Sequence, residues 1–406
     1  MKGISKNKRG ISLIVLVITI IVMIILAAAI ILSLNSSDII GKANEAKSSS
    51  DTANKKAAAS VLLAEYELAL VNGETTKTPS QYVKEGLEAQ GIDASDIAIT
   101  EDREILVGLS KAAVAFVEAG VQIGDTVTGY TLSQDASAKS YTTSGEENRY
   151  DASSGVEINP VSATLEREEG ITWKYIGINE KGEALIAGDV TNNTPKLKMT
   201  GRGGYINGTS ELDTACKIMY SSDMGNARNM KIEDVIMVLE YTGELGAYKD
   251  KNGNYVPTPQ PLTIGEVEEK LGITISSSIR PDGSALAKED KLDNYEIKSS
   301  SYYIPGEVDT NEYNVERESL IFPSGSITYW LSSKSSWFDG AGGIIFSIRC
   351  VDIRSVHGGD FFLASTGGSG FDANTTHNKS IRPVVELSDT VTVESYNLST
   401  GIVTIK

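Results

Sequence analysis

Two cysteines and two histidines are the only thiol and imidazole groups that this chain offers for chemistry. Cys216 and Cys350 lie far apart in the sequence, whereas His357 and His377 fall in one glycine-rich stretch. A structural zinc site needs about four such ligands at suitable spacing, and many serine hydrolases carry a Gly-x-Ser-x-Gly turn. The sequence contains neither pattern. We therefore predict no catalytic residue, no metal, no other cofactor and no enzymatic activity.

The cysteines allow two interpretations. If the folded part of the chain is extracellular, Cys216 and Cys350 could form one disulfide. Otherwise both are small buried residues. The aspartates of the same glycine-rich region match no calcium-binding loop in their spacing; they are Asp339, Asp352, Asp360 and Asp372.

Aromatic residues among glycines are the strongest candidates for ligand recognition. Loops rich in glycine bury few side chains, so some rings are expected at the surface beside polar groups, where they suit binding. The alternative is that the rings fix these loops to the core. The predicted ligand-binding residues are Trp337, Phe338, Asp339, His357, Phe371 and His377.

Charge excludes one class of partner. The chain has 406 residues, and its 37 basic against 54 acidic residues give a net charge of −17. Basic residues are concentrated in the first ten positions, and the remaining chain has no basic stripe. A nucleic-acid-binding protein needs such a stripe, so we predict no nucleic-acid partner.

An uninterrupted apolar run covers residues 11–34. As a helix this run is about 36 Å long, which is enough to cross a bilayer core of about 30 Å. The basic residues before it predict a cytoplasmic amino terminus and an extracellular body, with the inner membrane as a partner. A cleaved signal peptide is disfavoured because its apolar run is shorter. A plain single-pass anchor remains an alternative.

The junction between the basic segment and the apolar run resembles the leader of type IV prepilins and secretion pseudopilins. It reads Lys8-Arg9-Gly10, followed at once by Ile11. The resemblance implies that a prepilin peptidase cuts between Gly10 and Ile11 and methylates the new amino terminus, and that other pilin-like subunits are partners. Val15 stands where this family usually has a glutamate that assists assembly. This departure favours a minor subunit at a filament tip.

Beyond the apolar run, small and apolar residues recur at helical spacing along one face of a long helix. This stripe consists of Ile39, Ala43, Ala46, Ser50, Ala53, Ala57, Val61, Ala64 and Leu68. It permits close approach of a partner helix or of the protein's own domain. Asn72-Gly73 predicts the end of this helix. The resulting domain prediction is a leader over 1–10, a transmembrane and extended helix over 11–72, a small pilin-like head over 73–132, a linker over 133–155 and a larger domain over 156–406.

The carboxyl-terminal third contains a second resemblance. Tyr329-Trp330-Leu331 and the later segment Arg382-Pro383-Val384 enclose a variable glycine-rich stretch. This frame resembles the ending of bacterial domains related to C-type lectin-like and formylglycine-generating-enzyme-like folds. The resemblance implies that the first and last strands, 171–178 and 381–387, pair directly. We also expect Arg382 to bury its stem and pair with a carboxylate. In the enzymes of the formylglycine-related fold, cysteines and a copper ion carry out the reaction. Cys216 and Cys350 are far apart in this sequence and do not support that activity.

Together these observations predict an α+β protein: a long transmembrane helix, a small head and a lectin-like domain with irregular glycine-rich loops. The predicted function is that of a minor pilin or pseudopilin-like subunit that displays an adhesive domain for an unknown extracellular ligand. One alternative is a surface-anchored binding or sensing protein that does not polymerise. Another is an extracellular enzyme on a lectin-like scaffold.

Overall fold

The computed structural model describes residues 39–143, 163–243, 248–249, 252, 255–256, 262–275, 286–292, 297–298, 313–324, 327–338, 344–352, 355–365, 368–370 and 376–406. The fold is mixed α+β, as predicted. The chain divides into two compact units, Met1–Ala94 and Ser95–Lys406. The boundary differs from the predicted ones because the strand at 126–128, assigned to a separate head, pairs with the last strand of the chain and belongs to the second unit.

Six α-helices are described: α1 (Ile39–Val71), α2 (Pro79–Ala89), α3 (Lys111–Ala119), α4 (Gly201–Tyr220), α5 (Ile232–Leu239) and α6 (Ile264–Leu271). The strands are β1 (Ile97–Ile99), β2 (Ile105–Val107), β3 (Thr126–Thr128), β4 (Ser140–Thr142), β5 (Thr164–Glu166), β6 (Trp173–Ile178), β7 (Ala184–Gly188), β8 (Lys196–Thr200), β9 (Gly225–Asn229), β10 (Tyr248–Lys249), β11 (Tyr255–Val256), β12 (Ile297–Lys298), β13 (Tyr329–Phe338), β14 (Ile344–Val351), β15 (Ser355–Ser365), β16 (Gly368–Gly370), β17 (Thr376–Ser380), β18 (Pro383–Leu387), β19 (Val393–Asn397) and β20 (Ile402–Ile405).

The membrane prediction is corrected. None of the helices in the described ranges is both long enough and apolar enough to cross a membrane. The apolar run over 11–34 lies outside those ranges, and α1, the longest described helix, carries several charged side chains. This finding goes against the predicted transmembrane helix and against single-pass membrane localisation, and leaves mixed α+β as the supported fold class.

The first unit pairs α1 with α2. Thr78 caps α2 through a reciprocal capping box with Gln81, and Pro79 occupies the first turn, where its missing N–H costs nothing. Tyr66 of α1 packs on Tyr82 of α2 with ring centroids 5.6 Å apart. The predicted stop is confirmed, because α1 ends just before residues 72–73.

A seven-stranded sheet organises the second unit, in the order β19-β20-β3-β6-β7-β18-β9. The alternating residues of 171–178 and the turn at 179–182 predict a hairpin with a partner strand at 184–187, and β6–β7 confirms it. The expected direct pairing of 171–178 with 381–387 is wrong, because β7 lies between β6 and β18 and pairs with both. A tight hairpin places β7 next to β6, so β18 can reach only the far edge of β7.

A nine-stranded sheet contains the path β11-β10-β13-β14-β15-β12, with β16 beside β15 and with β17 between β13 and β8. The expectation of irregular glycine-rich loops is therefore wrong for much of this region: β14 to β17 are paired strands. Residues of β14 alternate between the two sheet faces, and its β-branched side chains favour the extended conformation. The glycines of β15, Gly358 and Gly359, pair with Arg349 and Ile348 of β14.

Helix α4 packs closely on the nine-stranded sheet. It begins at residue 201, although the capping residues Thr209 and Ser210 predict a start at 209 and the glycines of 201–204 predict a turn. Gly204 instead lies within the helix and close to Met199 of β8. A Cβ atom on Gly208 would lie 2.5 Å from the sulfur of Met199, so a larger residue there would require the Met199 side chain to move. Below it, a core cluster joins α4 to both sheets through Cys216, Trp330 and Val385.

Candidate functional site

An open groove follows the solvent side of α4 and lies beside β9 and β13; we call it the α4–β9 groove. Its volume is about 470 Å³. It adjoins a wider cavity of about 1100 Å³, with which it shares Thr209, Arg228, Lys231 and Ser332. We call this second cavity the α5 cavity, because residues of α5 form much of its wall. Both volumes fall near the range of sites for small ligands.

Helical spacing puts one row of polar residues along the groove. Thr209, Ser210, Asp213, Thr214 and Lys217 recur on a single face of α4. The opposite face of the helix is apolar and enters the core. Binding groups of the groove are thus held on a rigid element rather than on a loop.

Strand β9 forms the other wall, and its free edge is capped by side chains of α4 and the turn after it. The Ala227 N–H donates to Ser221 Oγ at 2.8 Å, and the Asn229 N–H donates to Asp213 Oδ1 at 3.1 Å. Unpaired edges invite strand addition. These two bonds occupy edge donors, so the wall presents side chains to a ligand.

Arg228 is the most strongly held charge of the groove. Its guanidinium donates two hydrogen bonds to Asp234, of 2.6 and 2.8 Å, and one of 3.0 Å to Glu386. Burial alone would lower the pKa of Arg228, but the hydrogen bonds and charges of Asp234 and Glu386 raise it above its usual value. Because two carboxylates surround it, Arg228 adds no net positive charge and serves to join β9, α5 and β18.

Lys217 and Lys231 differ from Arg228 in having no internal partner. Within the described part of the chain, neither ammonium group has a hydrogen-bond or ion-pair partner, although both residues line the groove. Asp213, the one acid of this groove, is engaged by a backbone N–H. With Asp234 and Glu386 counted as the partners of Arg228, three acids balance the three cations at the α4–β9 groove.

Below the groove lies a fully buried polar cluster, which we call the Asn229 junction. Asn229 Nδ2 donates to the carbonyl of Trp330 at 2.8 Å, and its Oδ1 accepts from the Arg382 N–H at 2.8 Å. The Trp330 indole N–H donates to the Leu197 carbonyl at 2.9 Å. One amide thus ties β9, β13 and the start of β18 together.

Among the described residues, no carboxylate forms the close ion pair with Arg382 that the sequence predicts. Its guanidinium donates to Tyr329 Oη at 2.7 Å and to the carbonyls of Gly188 and Leu320. Burial raises the pKa of Asp189, and the charge of Arg382 counteracts part of that rise. Backbone carbonyls satisfy this arginine because its planar fork fits several acceptors at once. The recurrent frame around Tyr329 and Arg382 is therefore a structural element.

The structure separates the predicted ligand-binding residues. Phe338 is only 1% exposed and packs with α6 in a core cluster, so its assignment to a binding surface is wrong. His357 lies in β15 and His377 in β17, and β14 and β13 lie between these strands. At about 4.8 Å per strand, their backbones are about 14 Å apart. Trp337 lies in β13, and its side chain is not described.

Other predicted positions lie outside the described residues. These are Gly10, Ile11, Val15, Asp339 and Phe371. Cys216 and Cys350 are both buried and are not joined, so the disulfide is not formed. Burial raises the pKa of the Cys216 thiol well above its usual value, which makes it a poor nucleophile.

Among the described residues, no three histidine, cysteine or acidic side chains are grouped so that they could hold a metal ion. What the groove offers is ammonium, hydroxyl and carboxylate groups on rigid walls. These groups can orient and hold a polar ligand. Comparisons with known proteins give no further guide: no family model, curated protein or solved structure matches this chain.

The groove was missed because its members are spread over three distant segments, one around 209–217, one around 227–231 and one at Ser332. The row on α4 is visible in the sequence as polar residues at i, i+4 and i+8 from Thr209. Such a row is typical of any solvated helix face. Only the approach of β9 and β13 turns it into a groove.

Proposed function

We propose that this chain is a non-enzymatic subunit of a filament of the type IV pilin or secretion pseudopilin class, with a binding function in its second unit. In this proposal α1 is the assembly element, and a peptidase removes the leader after Gly10. The observation that carries the proposal is the exposed face of α1. Val15, in place of the family's glutamate, favours a minor or tip position.

Helix α1 has two distinct apolar faces. One face is buried and includes Ala59, Leu62, Tyr66 and Ala69. The other is the stripe identified in the sequence, and its described members from Ser50 to Leu68 are all exposed. The stripe thus leaves small and apolar side chains in solvent along about five turns of helix.

The exposure of the larger apolar residues at this face supports an intermolecular contact. Val61 is 60% exposed, Leu68 is 64% exposed and Val71, at the end of the helix, is 83% exposed. Burying apolar surface stabilises an interface by about 25 cal/mol per Å². Small residues such as Ala53, Ala57 and Ala64 allow a second helix to approach closely along the same row. A bundle of α1 helices from several subunits would cover the stripe.

Two measurements on the protein from its own cells test this proposal. The first is the amino-terminal residue and intact mass: we expect a start at Ile11 with an added methyl group, and a start at Met1 would overturn the prepilin assignment. The second is recovery in filaments sheared from the cells. Val61→Asp places a charge in the stripe and should abolish recovery, whereas Thr52→Asp, which puts the same residue at an exposed position away from the stripe, should retain it.

If wild-type protein starts at Ile11 and yet never enters filaments, the chain is processed but does not polymerise, and the assembly role of α1 fails. Equal recovery of the Val61→Asp and Thr52→Asp variants would show that the stripe is not the contact surface.

A further inference from the structure

We propose that Asn397 is a site of N-linked glycosylation, at which the side-chain amide receives a sugar from a glycosyl phosphate donor. The site lies where β19 ends and the turn to β20 begins, and its sequence is Asn397-Leu398-Ser399. An asparagine followed at the second position by serine or threonine is the acceptor motif of this modification. The inference goes beyond the assembly role of α1 and does not depend on it.

The sequence alone leaves several candidates for this modification. Motifs of the form Asn-x-Ser or Asn-x-Thr, with a residue other than proline in the middle, begin at Asn35, Asn192, Asn207, Asn374, Asn378 and Asn397. The motifs at Asn35 and Asn374 begin outside the described residues. Since the modification takes place on surface loops, the exposure of the asparagine and of the hydroxyl residue distinguishes the others.

Three of the described motifs bury the hydroxyl residue or separate it from the asparagine. Thr194, which completes the Asn192 motif, is only 2% exposed. Ser380, which completes the Asn378 motif, is fully buried in β17. The Asn207 motif lies within α4, and side chains two positions apart on a helix do not face each other.

The Asn397 motif presents both groups at the surface. All three of its residues are exposed. Ser399 Oγ donates to Asn397 Oδ1 at 2.7 Å, and the Ser399 N–H donates to the same oxygen at 3.1 Å. Within the described part of the chain, Asn397 Nδ2 has no hydrogen-bond partner. The turn thus holds the hydroxyl beside the amide and leaves the reacting nitrogen available.

The reaction is a glycosyl transfer that a transferase of the cell catalyses. Asn397 Nδ2 forms a bond to C1 of the sugar, while the bond between C1 and the phosphate oxygen of the donor breaks. The phosphate leaves with the electron pair of that bond, and a base of the transferase takes one proton from Nδ2. No atom changes its oxidation state, and the side-chain carbonyl of Asn397 keeps its bonds to Ser399.

The position of Asn397 suits a bulky substituent. Strand β19 is an edge of the seven-stranded sheet, and Asn397 is its last residue. Exposed edges can pair with other chains, and many proteins cover them. Leu398, next to Asn397, is 71% exposed. A carbohydrate on Asn397 covers the end of this edge and makes the surface around Leu398 more soluble.

The test is mass spectrometry of peptides from the protein isolated from its own cells. We expect the peptide with Asn397 to carry hexose or N-acetylhexosamine mass on that residue, and the peptides with Asn192, Asn207 and Asn378 to be unmodified. A single added sugar would indicate a nucleotide-linked donor, and a preassembled oligosaccharide would indicate a lipid-linked donor. Either result supports the site.

Four variants separate the modification from the turn. Asn397→Asp keeps an oxygen that accepts both bonds from Ser399 but removes the reacting nitrogen, so it should abolish the added mass. Ser399→Ala removes the hydroxyl and should also abolish it, whereas Ser399→Thr should retain it. Asn192→Gln, which removes a motif whose threonine is buried, is the matched control and should leave Asn397 modified as in wild type.

An unmodified Asn397 in the wild-type protein would overturn the inference. So would equal modification of the Ser399→Ala variant and wild type, or sugar on Asn192 with none on Asn397. The start at Ile11 is determined from a different peptide and filament recovery from a different fraction, so failure here and failure of the assembly proposal are distinguishable.

Discussion

The Asn229 junction and the α4–β9 groove include neighbouring residues of the chain, but they differ in whether their polar groups have hydrogen-bond partners within the protein. In the junction, the side chain of Asn229 is fully buried and its donors and acceptor are all occupied. Two residues later, Lys231 lines an open groove without an internal partner in the described part of the chain. The side chain of Arg228 is 16% exposed, and its guanidinium forms ion pairs with two carboxylates, Asp234 and Glu386.

This contrast separates structural from functional polar residues. A buried polar group without a partner costs free energy, so polar groups in a core are retained only in complete networks. A charge at the surface can remain without a partner because water solvates it, and it is then available for a ligand. We therefore expect junction substitutions to change stability and groove substitutions to change binding.

The largest effect is expected from Asn229→Ala. The substitution leaves the Arg382 N–H and the Trp330 carbonyl without partners in a dry core and opens a cavity. We expect it to lower the free energy of unfolding by about 4 kcal/mol, measured by urea denaturation. Asn226→Ala, at an exposed position of the same strand, is the matched control and should change stability by less than about 0.5 kcal/mol. A small effect at Asn229 would mean that the junction tolerates an unsatisfied amide.

Asp234→Asn should have an intermediate effect. The side chain of Asp234 is only 5% exposed, and it accepts both hydrogen bonds from Arg228 and one from the Lys231 N–H. The variant keeps the shape and removes the charge, which leaves Arg228 with Glu386 alone. We expect a loss of about 2 kcal/mol in thermal or urea unfolding. Glu233→Gln, exposed on the preceding position of α5, should lose less than about 0.5 kcal/mol, and similar losses in both variants would contradict the role given to the ion pair.

The smallest effect on stability is expected from the double variant Lys217→Glu with Lys231→Glu. Neither lysine has an internal partner in the described residues, so unfolding should shift by no more than about 0.5 kcal/mol. Differential scanning calorimetry of the full chain measures this. A large destabilisation would show that the lysines support the fold, and would remove the contrast between groove and junction.

Local pattern predicted the elements of this protein well. Alternation in 171–178 identified the hairpin β6–β7, and the capping sequence Thr78-Pro79-Ser80 identified α2. The apolar face formed by Ile232, Val235, Ile236 and Leu239 identified α5. These features depend on residues close together in the chain, and their physical causes are therefore visible in the sequence. The stripe on α1 was also read correctly as one helix face.

Long-range pairing was predicted less well. The glycines of 201–204 favour a turn in the sequence, although they belong to α4, and Gly204 lies close to Met199 of β8. The glycine-rich stretch after Phe338 was read as irregular loops, although strands β14 to β17 cross it. A glycine is compatible with a turn, a paired strand or a close helix contact, and only its neighbours in space determine which of these forms.

The sequence by itself determined the α+β class, most helices and hairpins, and the acidic charge of the chain. The tertiary structure decided which strands are neighbours, which arginines are satisfied and where the groove lies. The physical reason is that hydrophobic periodicity acts within a few residues, whereas a site is made by segments that meet only after folding. Lys217, Lys231 and Ser332 form one surface because α4, β9 and β13 pack together.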